Sequence, residues 1–95
     1  MMYRAMNMDD VIRSHKEAGL HFFDEDTMIF FGSKVVSELL PGDIFITEED
    51  NYDRSEKMYT IRQFDCETAD IKDISRFGAF KTLKEAKEFV RDELS

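Results

Sequence analysis

The chain has 95 residues, 42% of them hydrophobic and 13% aromatic, which is enough apolar material for one folded domain over residues 1–95. Its 21 acidic and 13 basic residues give a net charge of -8, which disfavours direct nucleic-acid binding because the phosphate backbone is also anionic. Cys66 is the only cysteine, which excludes an intrachain disulfide, and no apolar run is long enough for a signal peptide or a membrane span. We therefore expect a cytoplasmic protein that does not enter a membrane.

The first predicted element is a helix over residues 7–19. Asn7 is a suitable N-cap, and Gly19 suits the left-handed conformation that often ends a helix. Spacings of three and four residues predict a buried stripe formed by Met8, Val11, Ile12, His15 and Ala18. His15 is thus expected on the apolar face of this helix.

A second, shorter helix is predicted over residues 25–31. Asp24 is its candidate N-cap, and Gly32 follows its last residue. A β-strand over residues 28–31 is the alternative, because periodicity does not separate helix from strand in so short an apolar run.

Two strand pairs are predicted next. Apolar residues at 35–36 and 39–40 lead into a Pro-Gly-Asp turn at 41–43, and residues 44–47 form the returning strand. Residues 58–64 and 71–76 form the second pair, around a turn that contains no glycine.

The last predicted element is a helix that begins at a capping box formed by Thr82 and Glu85. Its apolar face consists of Leu83, Ala86, Phe89, Val90 and Leu94. Helices, then strands, then a helix predict the α+β class, with an antiparallel sheet of about four strands packed by N- and C-terminal helices.

Motifs for metal binding or catalysis are missing from the sequence. His15, His21 and Cys66 do not form ligand pairs, and the acidic neighbours of Cys66 disfavour a reactive thiolate. There is no glycine-rich phosphate loop and no nucleophile elbow. We expect no metal, no cofactor and no enzymatic activity, and we expect Arg62 to extend its charge from the edge of the sheet rather than to bind a ligand.

Acidic residues are most concentrated between positions 43 and 56, where six carboxylates accompany only Arg54. They are Asp43, Glu48, Glu49, Asp50, Asp53 and Glu56. One interpretation is a solvated loop between strands. The other is an exposed anionic ridge that attracts a positively charged partner protein, because clustered carboxylates steer basic surfaces toward them.

Aromatic residues are concentrated between positions 22 and 31. Phe22, Phe23, Met28, Phe30 and Phe31 form either the core of the domain or an apolar patch for a partner protein, since both environments favour these residue types.

The segments His21-Phe22-Phe23, Thr27-Met28, Phe30-Phe31-Gly32-Ser33 and Tyr59-Thr60-Ile61-Arg62 carry a resemblance to a known group of proteins. With these residues the chain resembles a family of small bacteriophage and prophage proteins. The resemblance implies an accessory protein, of which many are small, acidic, non-enzymatic inhibitors of host restriction or CRISPR machinery.

Two hypotheses about function follow. In the first, an anti-CRISPR-like nucleic-acid mimic occupies the basic surface of a host defence protein. In the second, the chain is an interaction or regulatory module that binds through the aromatic patch. Neither hypothesis fixes the oligomeric state.

Overall fold

A four-stranded antiparallel sheet forms the centre of the fold, which confirms the α+β class. The computed structural model describes residues 3–50 and 55–94, apart from the side chain of Phe31. The strands lie in the sheet in the order of the sequence, as β1 (Lys34–Val35), β2 (Ile44–Asp50), β3 (Lys57–Phe64) and β4 (Ile71–Asp73). The described helices are α1 (Met8–Glu17), α2 (Glu25–Phe31) and α3 (Leu83–Phe89), and α3 continues into a π-helical turn, Val90–Leu94.

The helices cover both faces of the sheet. Successive side chains of a strand point to opposite faces, so Phe45 and Ile46 in β2 belong to different layers. Phe45 packs with Val11 and Phe23 on the side of α1 and α2. Ile46 packs with Ala86 on the side of α3. The predicted packing by N- and C-terminal helices is confirmed.

Helix α1 begins where its cap was predicted. The side chain of Asn7 accepts a hydrogen bond from the backbone N–H of Asp10 at 3.0 Å. Val11 and His15 of the predicted stripe are buried, and Ser14 is buried as well. The helix ends at Glu17, two residues before Gly19, which has the left-handed φ of 80°.

The segment that the sequence left open between helix and strand is helical, with the bounds predicted for the helix. Gly32 ends α2 with a φ of 61°. Asp24 is the N-cap residue, but its side chain makes no capping hydrogen bond. Its carboxylate instead accepts a hydrogen bond from Nδ1 of His21 at 2.8 Å.

The strands differ in length from the prediction. β2 continues through residues 48–50, which the sequence analysis placed outside the strand, and these residues pair with Tyr59, Met58 and Lys57 in β3. The residues at 39–40 form only an isolated bridge, between Leu40 and Ile44. β4 ends at Asp73, three residues earlier than predicted.

His15 connects three parts of the chain on the α1 side of the sheet. Its Nδ1 atom lies 2.6 Å from the carbonyl oxygen of Ala69, so Nδ1 carries the proton and donates. Its Nε2 atom accepts a hydrogen bond from the backbone N–H of Phe22 at 3.0 Å. A single imidazole therefore holds α1, the α1–α2 connection and the β3–β4 turn together.

Candidate binding surface around Arg62

Arg62 lies in an inner strand of the sheet, β3, and not at the sheet edge. The prediction of an edge position is therefore wrong. β3 has β2 on one side and β4 on the other, and the Arg62 side chain is only 8% exposed. Arg62 pairs with Phe45 across the strands and shares its face of the sheet, beneath α1 and α2. A charge at this position requires partners from the surrounding elements.

Three residues contact the guanidinium of Arg62 at hydrogen-bond or cation–π distance. Nε donates to the hydroxyl of Thr47 at 2.8 Å, and Nη1 donates to Oδ1 of Asp73 at 2.6 Å. The guanidinium carbon also lies 4.8 Å from the ring centroid of Phe22, a cation–π distance. These contacts fix the guanidinium between β2, β4 and the connection before α2.

Glu49 lies next to Arg62 and is fully buried. Its Oε1 atom accepts a hydrogen bond from the hydroxyl of Thr60 at 2.6 Å. Its Oε2 atom lies 3.7 Å from Nη2 of Arg62, close enough for an ion pair but too long for a hydrogen bond, and no other hydrogen-bond partner of Oε2 is found in the described part of the chain. Glu49, Arg62 and Asp73 together carry one positive and two negative formal charges.

A cavity of about 300 Å³ opens beside this charged group. We call it the Arg62 cavity, and its lining consists of Phe22, Thr27, Met28, Ser33, Arg62, Asp73 and Phe77. Of the two charged lining residues, the side chain of Arg62 is only 8% exposed, whereas that of Asp73 is 55% exposed. The cavity thus combines apolar walls with one accessible carboxylate.

Large apolar side chains are exposed in the segments that supply the lining of the Arg62 cavity. Phe30 is 77% exposed, Ile29 65% and Phe77 48%, and Ile74 is exposed next to Asp73. We call these four residues the apolar rim. Phe30 lies one helical turn beyond the lining residue Thr27, on the same side of α2.

The predicted aromatic patch is divided between core and surface. Phe23 is buried and contacts Phe45, with ring centroids 6.0 Å apart. Phe22 is half-buried and forms a wall of the Arg62 cavity. Phe30 is exposed, and the side chain of Phe31 lies outside what the structure describes.

The predicted anionic ridge is wrong at Glu49, because this side chain is buried on the opposite face from Glu48 and Asp50. Glu48 and Asp50 do share a face, as two strand residues of the same parity must. Asp43 lies in the turn that precedes β2, at the other end of that strand, and Glu56 is exposed in the bend before β3. Asp53 falls outside the described residues.

Glu48 and Asp50, the two carboxylates that share a face, interact with basic and hydroxyl groups. Glu48 lies 3.9 Å from Nζ of Lys34 and accepts a hydrogen bond from the Tyr59 hydroxyl at 3.1 Å. Asp50 is hydrogen-bonded to Lys57 and holds the pKa of that ammonium above its usual value. Burial raises the pKa of Tyr59, and the carboxylate of Glu48 adds to the shift. Cross-strand pairing therefore compensates much of the local negative charge.

Ligand sets for metals do not occur in the part of the chain that the structure describes: no three His, Cys, Asp or Glu side chains converge there. Cys66 is half-buried in the β3–β4 turn. Among the same residues, no helix is both long and apolar enough to cross a membrane.

Comparison with known proteins places the chain in a family. A family of unknown function, DUF7447, matches residues 7–91. The chain belongs to this family. The match includes every residue that lines the Arg62 cavity. No curated protein and no solved structure matches the chain.

Sequence reasoning missed Asp73 and Phe77 as site residues. Both lie in or after a strand of three residues, too short for a periodic signal. The polar pairs were a stronger signal: Thr47 and Glu49 alternate in β2, and Thr60 and Arg62 alternate in β3. Polar residues at alternate positions of two neighbouring strands indicate a polar cluster once the register is known.

Proposed function

We propose that this protein is a non-enzymatic binding protein that recognises another protein through the apolar rim of the Arg62 cavity. The observation that carries the proposal is the exposure of Phe30 and its neighbour Ile29 on α2. A small acidic chain keeps such side chains at its surface at a cost in solubility, and aromatic side chains are enriched at the centres of protein interfaces.

The position of the rim supports the same conclusion. Phe77 lines the Arg62 cavity, and Phe30 lies one helical turn beyond the lining residue Thr27, so a partner that contacts both residues also lies over the cavity. Aromatic anchors around a pocket are typical of interface hot spots. The guanidinium of Arg62 in the cavity lining is held in place, because β2 and β4 each accept a hydrogen bond from it.

The test is selection of bacterial genomic fragments displayed on phage, with the full-length protein as bait. The resemblance to bacteriophage proteins is the reason for a bacterial library. We expect wild type to enrich fragments that Phe30→Ser no longer binds. Met6→Ser is the matched control, because Met6 is 90% exposed, lies before α1 and does not line the Arg62 cavity. Fragments that bind Phe30→Ser as tightly as wild type would exclude the rim, and an absence of enrichment would overturn the proposal.

The second candidate function is inhibition of a host nucleic-acid-binding protein by charge mimicry. The net charge of -8 favours it. The ion pairs of Glu48 and Asp50 and the burial of Glu49 weigh against a ridge built from these three residues.

Salt dependence of the association rate separates the two candidates. Steering by many carboxylates loses its reach when salt shortens the Debye length to about 8 Å near 0.15 M. An apolar interface with few ion pairs keeps most of its association rate over the same range. Stopped-flow rates with an enriched fragment at low and high salt provide the measurement.

A further inference from the structure

The size of the Arg62 cavity suits a single side chain. Its volume of about 300 Å³ is at the lower limit of small-molecule sites, and two of its lining residues, Asp73 and Phe77, are exposed to solvent. An interface side chain that enters such a concavity becomes largely desolvated, which is how hot-spot residues contribute most of the affinity.

The charged residues beside the cavity favour a positively charged occupant over a negatively charged one. Arg62 already interacts with both Asp73 and Glu49, so the three residues have a net formal charge of -1. An anion at the cavity would meet the carboxylate of Asp73 first and would compete with it for the guanidinium. A cation meets an exposed carboxylate that Arg62 holds in place through Oδ1.

The apolar walls of the cavity favour an occupant that has an apolar part as well as a positive charge. Phe77 and Met28 supply an aromatic ring and a flexible thioether next to Asp73. Aliphatic stems of lysine and arginine pack on such groups while the cationic head stays at a polar rim. A metal ion would find one accessible carboxylate and no converging ligand set in the described residues.

We propose that the Arg62 cavity binds a lysine or arginine side chain of the partner protein. Its aliphatic stem packs between Phe77 and Met28, and its cationic head pairs with Asp73. This inference rests on the proposed function, and it specifies the chemistry of the partner: a segment with apolar residues for the rim and one basic residue for the cavity.

The experiment selects random twelve-residue peptides displayed on phage against the full-length protein, followed by calorimetry with synthetic versions of the enriched peptides. We expect a recurrent lysine or arginine among apolar residues. Replacement of that residue by norleucine keeps the stem and removes the charge, and we expect wild type to lose about tenfold in affinity, as for a charge-assisted contact.

Asp73→Asn keeps an acceptor for Arg62 and removes the charge. This variant should bind the basic peptide and the norleucine peptide equally. Glu88→Gln, on the opposite face in α3, is the control and should keep the tenfold difference. Phe77→Ala should weaken both peptides by the same factor, because it removes the stem contact and not the ion pair. Urea midpoints show whether each variant is folded.

The outcomes separate the inference from the proposed function. Enriched peptides without a basic residue that still fail to bind Phe30→Ser would overturn the inference and leave the proposed function standing. A tenfold preference that survives in Asp73→Asn would also overturn it. Failure to enrich any peptide would count against both.

Discussion

The carboxylate of Glu49 lies 3.7 Å from the guanidinium of Arg62, and both side chains are buried between the sheet and the helices α1 and α2. Burying two charges costs free energy that their attraction and hydrogen bonds only partly offset. Thr47, Thr60 and Asp73 supply those hydrogen bonds. These residues form a polar cluster on this face of the sheet, and two of them, Arg62 and Asp73, line the Arg62 cavity.

Arg62→Met should lower the free energy of unfolding by about 3 to 5 kcal/mol, because it leaves the Glu49 carboxylate buried without a cation. Urea denaturation measures the loss. The double variant Glu49→Leu with Arg62→Met removes both charges and should recover most of it. A double variant no more stable than Arg62→Met alone would show that packing, and not charge, is responsible.

His15→Leu should destabilise the fold although it keeps an apolar side chain at a buried position. The carbonyl of Ala69 and the N–H of Phe22 both lose their partner, at about 1 to 3 kcal/mol for each unsatisfied group. Asn at the same position keeps one of the two hydrogen bonds and should be less harmful. Hydrogen exchange at Phe22 should accelerate in His15→Leu, and unchanged exchange would contradict the assigned bond.

Gly32→Ala should destabilise more than Gly19→Ala. Both glycines have a left-handed φ, of 61° and 80°, which costs an alanine about 1 to 2 kcal/mol. A Cβ at Gly19 meets no atom within 4 Å, whereas a Cβ at Gly32 would lie 2.7 Å from Oδ2 of Asp50. Gly32→Ala therefore also displaces the carboxylate that pairs with Lys57. Equal urea midpoints for the two variants would show that Asp50 moves aside freely.

Asp65 should contribute to stability at neutral pH and lose that contribution in acid. The backbone N–H of Glu67 and the ammonium of Lys72 hold the pKa of this carboxyl below its ordinary value of 3.8. A folded-state pKa below the unfolded one stabilises above the unfolded value, and the effect disappears as the pH falls through the folded pKa. Wild type should be more stable than Asp65→Asn above about pH 5, and the two should converge once the pH falls below the folded-state pKa of the Asp65 carboxyl. A difference independent of pH would assign the effect to packing.

The helices could be predicted from the sequence because the interactions that begin and end them are local. Asn7 and Thr82 cap α1 and α3 through backbone groups three residues away, and Gly32 ends α2 in the left-handed conformation. The apolar periodicity likewise identified Val11 and Ala86 as buried. These signals need only the neighbouring residues.

The sequence also identified some members of the candidate site, without their roles. It singled out Phe22, Phe30, Glu49 and Arg62, but as a patch, a ridge and an edge charge. Asp73 and Phe77 join them only because β4 returns beside β3. No local sequence pattern predicts that Asp73 and Phe77 lie close to the other site residues.

The tertiary structure alone decided which carboxylate is buried. Glu48, Glu49 and Asp50 are adjacent acidic residues with similar intrinsic preferences, and nothing in their own sequence separates them. The register of β2 against β3 turns Glu49 toward Thr60 and Arg62, whereas Glu48 faces Tyr59 on the other side. The free energy of a charged side chain depends on the hydrogen-bond donors and charges that surround it, and here those groups come from segments eleven or more residues away.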